Sequence, residues 1–240
     1  MNGPNPLTMI PLADLLNGLA EVKLADNVAV SGISDDSRTV NPGDLFVARS
    51  GSQDDGSRYI SAAVAAGAVA IVAERQLIGI DVPVVCVSNV KDALPLLARR
   101  FYQNPTKNLQ LIGVTGTNGK TSCTTLAAQL LEDTALLGTR GYGFVSAMKP
   151  AGQTTPGSLT LHRMFRELAD QGAKRVAMEV SSHALDQQRV AGLSFDIAVH
   201  TGVAHDHLDY HGDLHAYVAS KRRLFSDYPY RAALINVADA

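Results

Sequence analysis

The sequence predicts an α/β protein: a small mixed α/β N-terminal domain followed by a second domain built on a parallel sheet. Three observations predict it. Residues 69–73 and 84–87 are short, β-branched, apolar runs of the kind buried on both faces of a parallel sheet. From residue 109 onward, apolar strand-like runs alternate with helical patterns, as in strand–helix–strand units covered on both faces. Between the two stretches stands Asn104-Pro105-Thr106, and the residue before a proline is pushed out of the helical region. The boundary falls there, giving domains over 1–105 and 106–240. At roughly 150 residues per domain, the length suits one large domain or two modest ones.

In the first part, residues 28–33 form a short apolar alternation, as a strand does. Asn41-Pro42-Gly43 signals a turn, and 44–48 follows it as a strand. Residues 60–66 carry small side chains at helical spacing. The two buried strands come next. A helix over 92–102 then places Leu94, Leu97 and Phe101 on one face. In the second part 109–114 is a strand, 115–119 a glycine turn and 120–131 a helix. Further helices are expected at 161–171 and 214–225, and further strands at 175–180, 195–201 and 232–236.

Composition narrows the function. There are 21 Lys+Arg against 23 Asp+Glu, so no broad electrostatic footprint for nucleic acid or an anionic membrane exists. A hydrophobic content of 46% at this low net charge excludes a disordered chain. The longest apolar run, 62–73, falls short of the about 18 residues needed to span a bilayer. The first basic residue is Lys23, so no secretory n-region is present. Cys86 sits in an apolar run and Cys123 in a predicted helix start, so both read as small buried residues, not a disulfide pair. A cytoplasmic monomer with neither nucleic-acid nor membrane partner is expected. All seven histidines lie between His162 and His215, which concentrates polar chemistry in the second part.

The run Gly113-Val-Thr-Gly-Thr-Asn-Gly-Lys-Thr121 stands between a strand and a helix, where a phosphate loop should. Glycines let backbone N–H groups converge on phosphate oxygens, and the helix N-terminus adds partial positive charge. Lys120 would reach the β/γ-phosphates and the Thr121 hydroxyl would hold Mg²⁺. The strict template wants glycine at 114, which is valine. The second domain is therefore expected to be a P-loop-type ATPase domain.

At this point a resemblance becomes specific. Thr115-Gly-Thr-Asn-Gly-Lys-Thr121 resembles the ATP loop of the Mur ligase family. Met178-Glu-Val-Ser-Ser-His183 and Asp206-His-Leu-Asp-Tyr-His-Gly212 resemble the UDP-N-acetylmuramoyl-tripeptide synthetases, the MurE branch of that family. Asp36-Ser-Arg38 and Pro42-Gly-Asp-Leu-Phe46 resemble the first domain of that branch and also of MurF, and Gln153-Thr-Thr-Pro156 resembles the Asn-Thr-Thr-Pro segment of the same enzymes. The likeness runs from about residue 30 to the end.

The resemblance implies an ATP-dependent amide-bond ligase of peptidoglycan precursor synthesis. It would add a diamino acid, meso-diaminopimelate, to UDP-N-acetylmuramoyl-L-Ala-D-Glu through an acyl phosphate. It implies ATP contacts at Gly116, Thr117, Asn118, Gly119, Lys120, Thr121 and Ser122, and Mg²⁺ held by Thr121, Glu179, His207 and a carbamylated Lys221. Lys120, His207 and Lys221 are the implied catalytic residues. Substrate contacts are implied at Asp35, Ser37, Ser52, Gln53 and Asp54 for the uridine end. Gln153, Thr154, Thr155, Ser181, Gln187 and Arg189 are implied at the diphosphate and muramoyl end. Pattern alone reads several of these otherwise. Residues 51–56 would be a polar loop, His207 an exposed imidazole, and Lys221-Arg222-Arg223 a solvated helix face. Gln153 stands where the family usually has Asn, Gly202 replaces an amide, and His200 stands where Phe is common. The chain ends where the family's central domain is part-built, so a fragment without the amino-acid-binding C-terminal domain is expected, with an exposed sheet edge. The alternatives are a non-catalytic fragment that binds nucleotide or UDP-sugar, or another Mur ligase such as MurF.

Overall fold

The computed structural model describes residues 9–49 and 56–238. The chain divides into two compact units between Asn104 and Pro105.

In the first unit, β1 (Ile10–Pro11) leads into α1 (Leu12–Leu16) and pairs antiparallel with β2 (Ala29–Val30). A separate parallel sheet runs in sequence order: β3 (Gly32–Ser34), β4 (Asp44–Val47), β5 (Ala70–Ala73) and β6 (Val84–Cys86). Helix α2 (Ile60–Ala65) connects β4 to β5, and α3 (Val90–Phe101) follows β6. The central strands β4 and β5 are buried along their whole length, which is why both read as continuous apolar runs. Asn89 starts α3 by accepting hydrogen bonds from the N–H groups of Lys91 and Asp92. That cap lets Val90, Leu94, Leu97 and Phe101 be buried together.

The second unit is built on six strands. In chain order they and their helices are β7 (Gln110–Thr115), α4 (Lys120–Leu130), β8 (Thr134–Gly138), β9 (Gly141–Gly143), α5 (Ser158–Asp170), β10 (Arg175–Glu179), α6 (Ser182–Asp186), β11 (Phe195–His200), α7 (Leu208–His211), α8 (Leu214–Ser226) and β12 (Tyr230–Ile235). The sheet order is β12-β11-β7-β10-β8-β9, parallel except for β9. Strand β10 returns between β7 and β8, after which β11 and β12 add on the other side of β7. The direction of winding thus reverses beside β7, and ligands of open α/β sheets bind at the carboxyl ends next to such a reversal. One sheet face packs on α5 through Leu161, Met164, Phe165 and Leu168, against Leu111, Val176 and Phe195.

The structure adds to the sequence reading and corrects it in places. Strands β8 and β9 were not expected: the sequence reading ends the helix at 131 and assigns no element before 161. In the fold Asp133 turns to a positive φ of 50° and the chain re-enters the sheet. Helix α5 begins at Ser158, ahead of the expected 161. Cys86 and Cys123 are both free, but half-buried where burial was expected. Coverage of the sheet on both faces does not extend to the edge strand β12, all of whose residues are exposed. Among the described residues, no helix is long and apolar enough to cross a membrane.

Candidate phosphate-loop and cavity site

The site grows from the carboxyl ends of β7, β8, β10 and β11. Strand β7 ends at Thr115, and Gly119 takes a left-handed φ of 85° to open α4 at Lys120. A side chain at 119 would be strained there, so the turn requires glycine. The loop is braced from beyond β11. Thr201 Oγ1 donates to Asn118 O at 2.6 Å, and Thr117 N–H donates to Gly202 O at 2.8 Å. Gly202 therefore contacts the loop through its backbone.

Lys120 folds over its own loop, its Nζ donating to Gly116 O and Thr117 O, each at 2.8 Å. Burial lowers its pKa, opposed by the negative charges of Glu179 and Asp206. Next to it the Thr121 hydroxyl donates to Glu179 Oε1 at 3.0 Å. Glu179 ends β10 and is only 1% exposed. It also accepts from Thr139 N–H at 2.8 Å and the Thr139 hydroxyl at 3.2 Å. The hydrogen-bond donors it has among the described residues are thus neutral. A buried carboxylate so placed, beside a threonine hydroxyl at a phosphate loop, suits Mg²⁺, which takes one or two carboxylates and completes its shell with phosphate oxygens and water.

Gly138 makes room for that carboxylate: a Cβ on it would lie 2.2 Å from Glu179 Oε1. Gly138→Ala is expected to push Glu179 aside and destabilise the fold by about 1–3 kcal/mol. Urea unfolding reads the cost, and an unchanged midpoint would show that the carboxylate has slack.

Lys221, on α8, is 2% exposed and donates from Nζ to the same Gly116 O at 2.8 Å. Burial, reinforced by the nearby Lys120 charge, brings its pKa down to about 7. His207 lies on the exposed side. It has φ 53°, and its Nε2 is 3.5 Å from Asp206 Oδ2. Its ring packs edge-on to His183 at 4.9 Å.

A cavity of about 770 Å³ opens beside this cluster, with Thr154, Thr155, Ser181, Arg189 and His207 in its wall. Arg189 donates to Gln153 Oε1 at 2.9 Å, Thr155 O at 2.8 Å and Gln187 Oε1 at 2.7 Å. Thr154 Oγ1 lies 3.0 Å from Thr139 Oγ1. The chain Thr121–Glu179–Thr139–Thr154 thus joins the loop to the cavity.

The second unit brings together Lys120, Thr121, Glu179 and Lys221 at the loop, and Gln153, Thr154, Thr155, Ser181, Gln187, Arg189 and His207 at or beside the cavity. Asn118, Gly119 and Ser122 line a neighbouring cleft with Leu234 and Asn236. Asp35 and Ser37 belong to the first unit. Asp35 lies 3.9 Å from Arg49, and Ser37 opens a short 3₁₀ turn capped by Asp36. Ser52, Gln53 and Asp54 lie outside the described residues. Sequence reasoning missed Gly138, Thr139 and Arg140, which line the cavity, and Thr201 and Tyr217 behind the loop. Gly138 ends β8 and the next two follow it, so reading that strand would have exposed them.

The fold and this loop define a P-loop-type α/β domain that follows a small parallel-sheet unit in the sequence. Residues 114–240 match the Mur ligase middle domain, and residues 29–102 match the Mur ligase family catalytic domain. The chain belongs to the Mur ligase family. It is 41% identical over 237 residues to the UDP-N-acetylmuramoyl-L-alanyl-D-glutamate–2,6-diaminopimelate ligase of Coxiella burnetii, covering 95% of this chain and 48% of that protein. It is 46% identical over 237 residues to the Xylella fastidiosa protein of the same name, covering 96% and 47%. A solved structure of a ligase of that name superposes with a TM-score of 0.83 at 33% identity, over 97% of this chain and 48% of the other. MurF from Acinetobacter baumannii shares the fold at a TM-score of 0.68 and 20% identity, over 96% and 49%. The chain spans about half the length of the curated relatives it matches.

Proposed function

We propose that this chain supplies the ATP and nucleotide-sugar sites of a cytoplasmic peptidoglycan-precursor ligase. The ligase joins a diamino acid, meso-diaminopimelate, to UDP-N-acetylmuramoyl-L-Ala-D-Glu. The observation that carries the reading is the 3.0 Å bond from Thr121 to the buried Glu179, set between a phosphate loop and the cavity walled by Thr154, Thr155 and Ser181. In this reading residues 1–105 receive the uridine end through Asp35, Ser37, Ser52, Gln53 and Asp54, and 106–240 receive ATP. Gln153, Thr154, Thr155, Ser181, Gln187 and Arg189 receive the diphosphate and muramoyl end.

The chemistry follows from the charges. A carboxylate is a poor electrophile until an oxygen becomes a leaving group. Transfer of the γ-phosphoryl group to the substrate carboxylate gives an acyl phosphate, and the amine then displaces phosphate. The barrier is mainly charge build-up and alignment, which cations around the phosphates lower. Lys120 and the loop N–H groups of 116–119, with Ser122, align the triphosphate. Thr121 and Glu179 would hold one Mg²⁺, and His207 with Lys221 a second, supplying charge neutralisation there. An amine with a pKa of about 7 is partly neutral at neutral pH, the form that adds CO₂. The resulting carbamate is an anion able to face a metal.

The test supplies UDP-N-acetylmuramoyl-L-Ala-D-Glu, MgATP and meso-diaminopimelate. The chain itself is expected to bind MgATP and the UDP-sugar, and a longer ligase carrying it to give ADP, phosphate and tripeptide product only when all three are present. Binding of both nucleotides without any turnover by the longer ligase would instead favour a non-catalytic binding role for the chain. Binding of neither would sink the reading.

A further inference from the structure

Tyr217 is buried, at 1% exposure, on α8, behind the phosphate loop. Both ends of its side chain meet the site. The phenol oxygen lies 3.1 Å from Thr117 Oγ1. That hydroxyl accepts from Ala204 N–H at 2.8 Å and lies 3.2 Å from Ala204 O. A threonine hydroxyl has one proton to give. With that proton on Ala204 O, the phenol donates to Thr117 and all three groups are satisfied. The ring face, meanwhile, lies 4.3 Å beneath Lys221 Nζ, one helical turn further along α8. The same ring borders His211 at 5.3 Å and His207 at 6.2 Å.

We propose that Tyr217 is a positioning residue: its hydroxyl sets the phosphate loop through Thr117, and its ring sets the Lys221 amine over Gly116. The inference rests on the loop being a triphosphate site. Three segments of chain meet at this one side chain: the loop after β7, the 201–207 segment after β11, and α8. Without the phenol, the Thr117 hydroxyl keeps only its bonds to Ala204. Loop and helix then keep the bond from Lys221 to Gly116 O and lose the one at Thr117. A loop that must offer several N–H groups to one ligand binds it best when held in the bound shape beforehand.

The experiment titrates the chain with MgATP by calorimetry, with thermal unfolding alongside. Tyr217→Phe removes one oxygen and keeps the ring. It is expected to weaken MgATP binding about five- to tenfold, with the thermal midpoint within about 4 °C of the parent. Thr117→Val should weaken binding at least as much, whereas Thr117→Ser, which keeps the hydroxyl, should bind like the parent. Combining Tyr217→Phe with Thr117→Val should add no further loss, because both remove the same link. Losses that multiply, or a Tyr217→Phe chain that binds like the parent, would overturn the proposal. Failure of the parent itself to bind MgATP would overturn the phosphate-loop reading instead. Should Tyr217→Phe not fold, a Thr117→Ser chain as weak as Thr117→Val would still refute a role for the hydroxyl.

Discussion

Lys120→Ala is expected to weaken MgATP binding by more than a hundredfold. The amine is the loop's own cation, already drawn to the loop by Gly116 O and Thr117 O. Hydrogen bonds to charged groups contribute about 1.5–3 kcal/mol each. Two such bonds from one ammonium to phosphate oxygens exceed what the α4 N-terminus retains, about 0.3–1 kcal/mol. Calorimetry on the parent and variant measures the difference, and an affinity within threefold of the parent would remove Lys120 from the site. The substitution has a second consequence at Lys221. The Lys120 charge is one of the two causes that hold the Lys221 pKa down. In Lys120→Ala only the larger cause, burial, remains, so the Lys221 amine should titrate above 7. An NMR titration of that amine reads the shift independently of nucleotide binding.

How much of this was legible in the sequence depended on whether the determinant was local. The phosphate loop could be read because its requirement is local: a strand, a positive-φ glycine, then Lys and Thr opening a helix. The carboxylate at 179 could be placed because it directly follows an apolar run ending a strand. Strand β8 was illegible. Its apolar residues follow Glu132-Asp133 without a proline or glycine to mark a turn, and pairing with β10 and β9 makes 134–138 a strand. With it went Gly138 and Thr139, which shape and hydrogen-bond the Glu179 carboxylate. Tyr217 was invisible for another reason. It sits on an expected helix, and nothing in its neighbours says that its hydroxyl reaches a loop one hundred residues away. Lys221 shows the limit most plainly. Beside Arg222 and Arg223 it reads as a solvated charge, yet the fold buries it to 2% exposure while both arginines keep more solvent.

That burial has a cost, and Lys221→Met should recover part of it. The ordinary pKa of a lysine amine, 10.5, falls to about 7 in the folded chain. Below pH 7 the amine is charged in both folded and unfolded states, and the folded state bears the full penalty of a buried ammonium. Between 7 and 10.5 the unfolded chain binds the extra proton, so parent stability rises with pH across that window. Above 10.5 the penalty is gone. The gap between the two values corresponds to about 5 kcal/mol as a ceiling. The bonds to Gly116 O and the Tyr217 ring, lost with the amine, reduce the expected gain to about 2–4 kcal/mol. Methionine keeps the unbranched stem and much of the volume. Urea unfolding in CO₂-free buffer should therefore find Lys221→Met more stable than the parent at pH 6, with the difference shrinking towards pH 10. Bicarbonate should narrow the difference near pH 8 if the neutral amine adds CO₂, since carbamate formation stabilises the folded parent alone. A longer ligase carrying the same substitution should lose product formation while keeping this stability gain. A variant less stable than the parent at pH 6 would mean that the ammonium is solvated by its two contacts well enough to stay charged, leaving no neutral amine for CO₂ to trap.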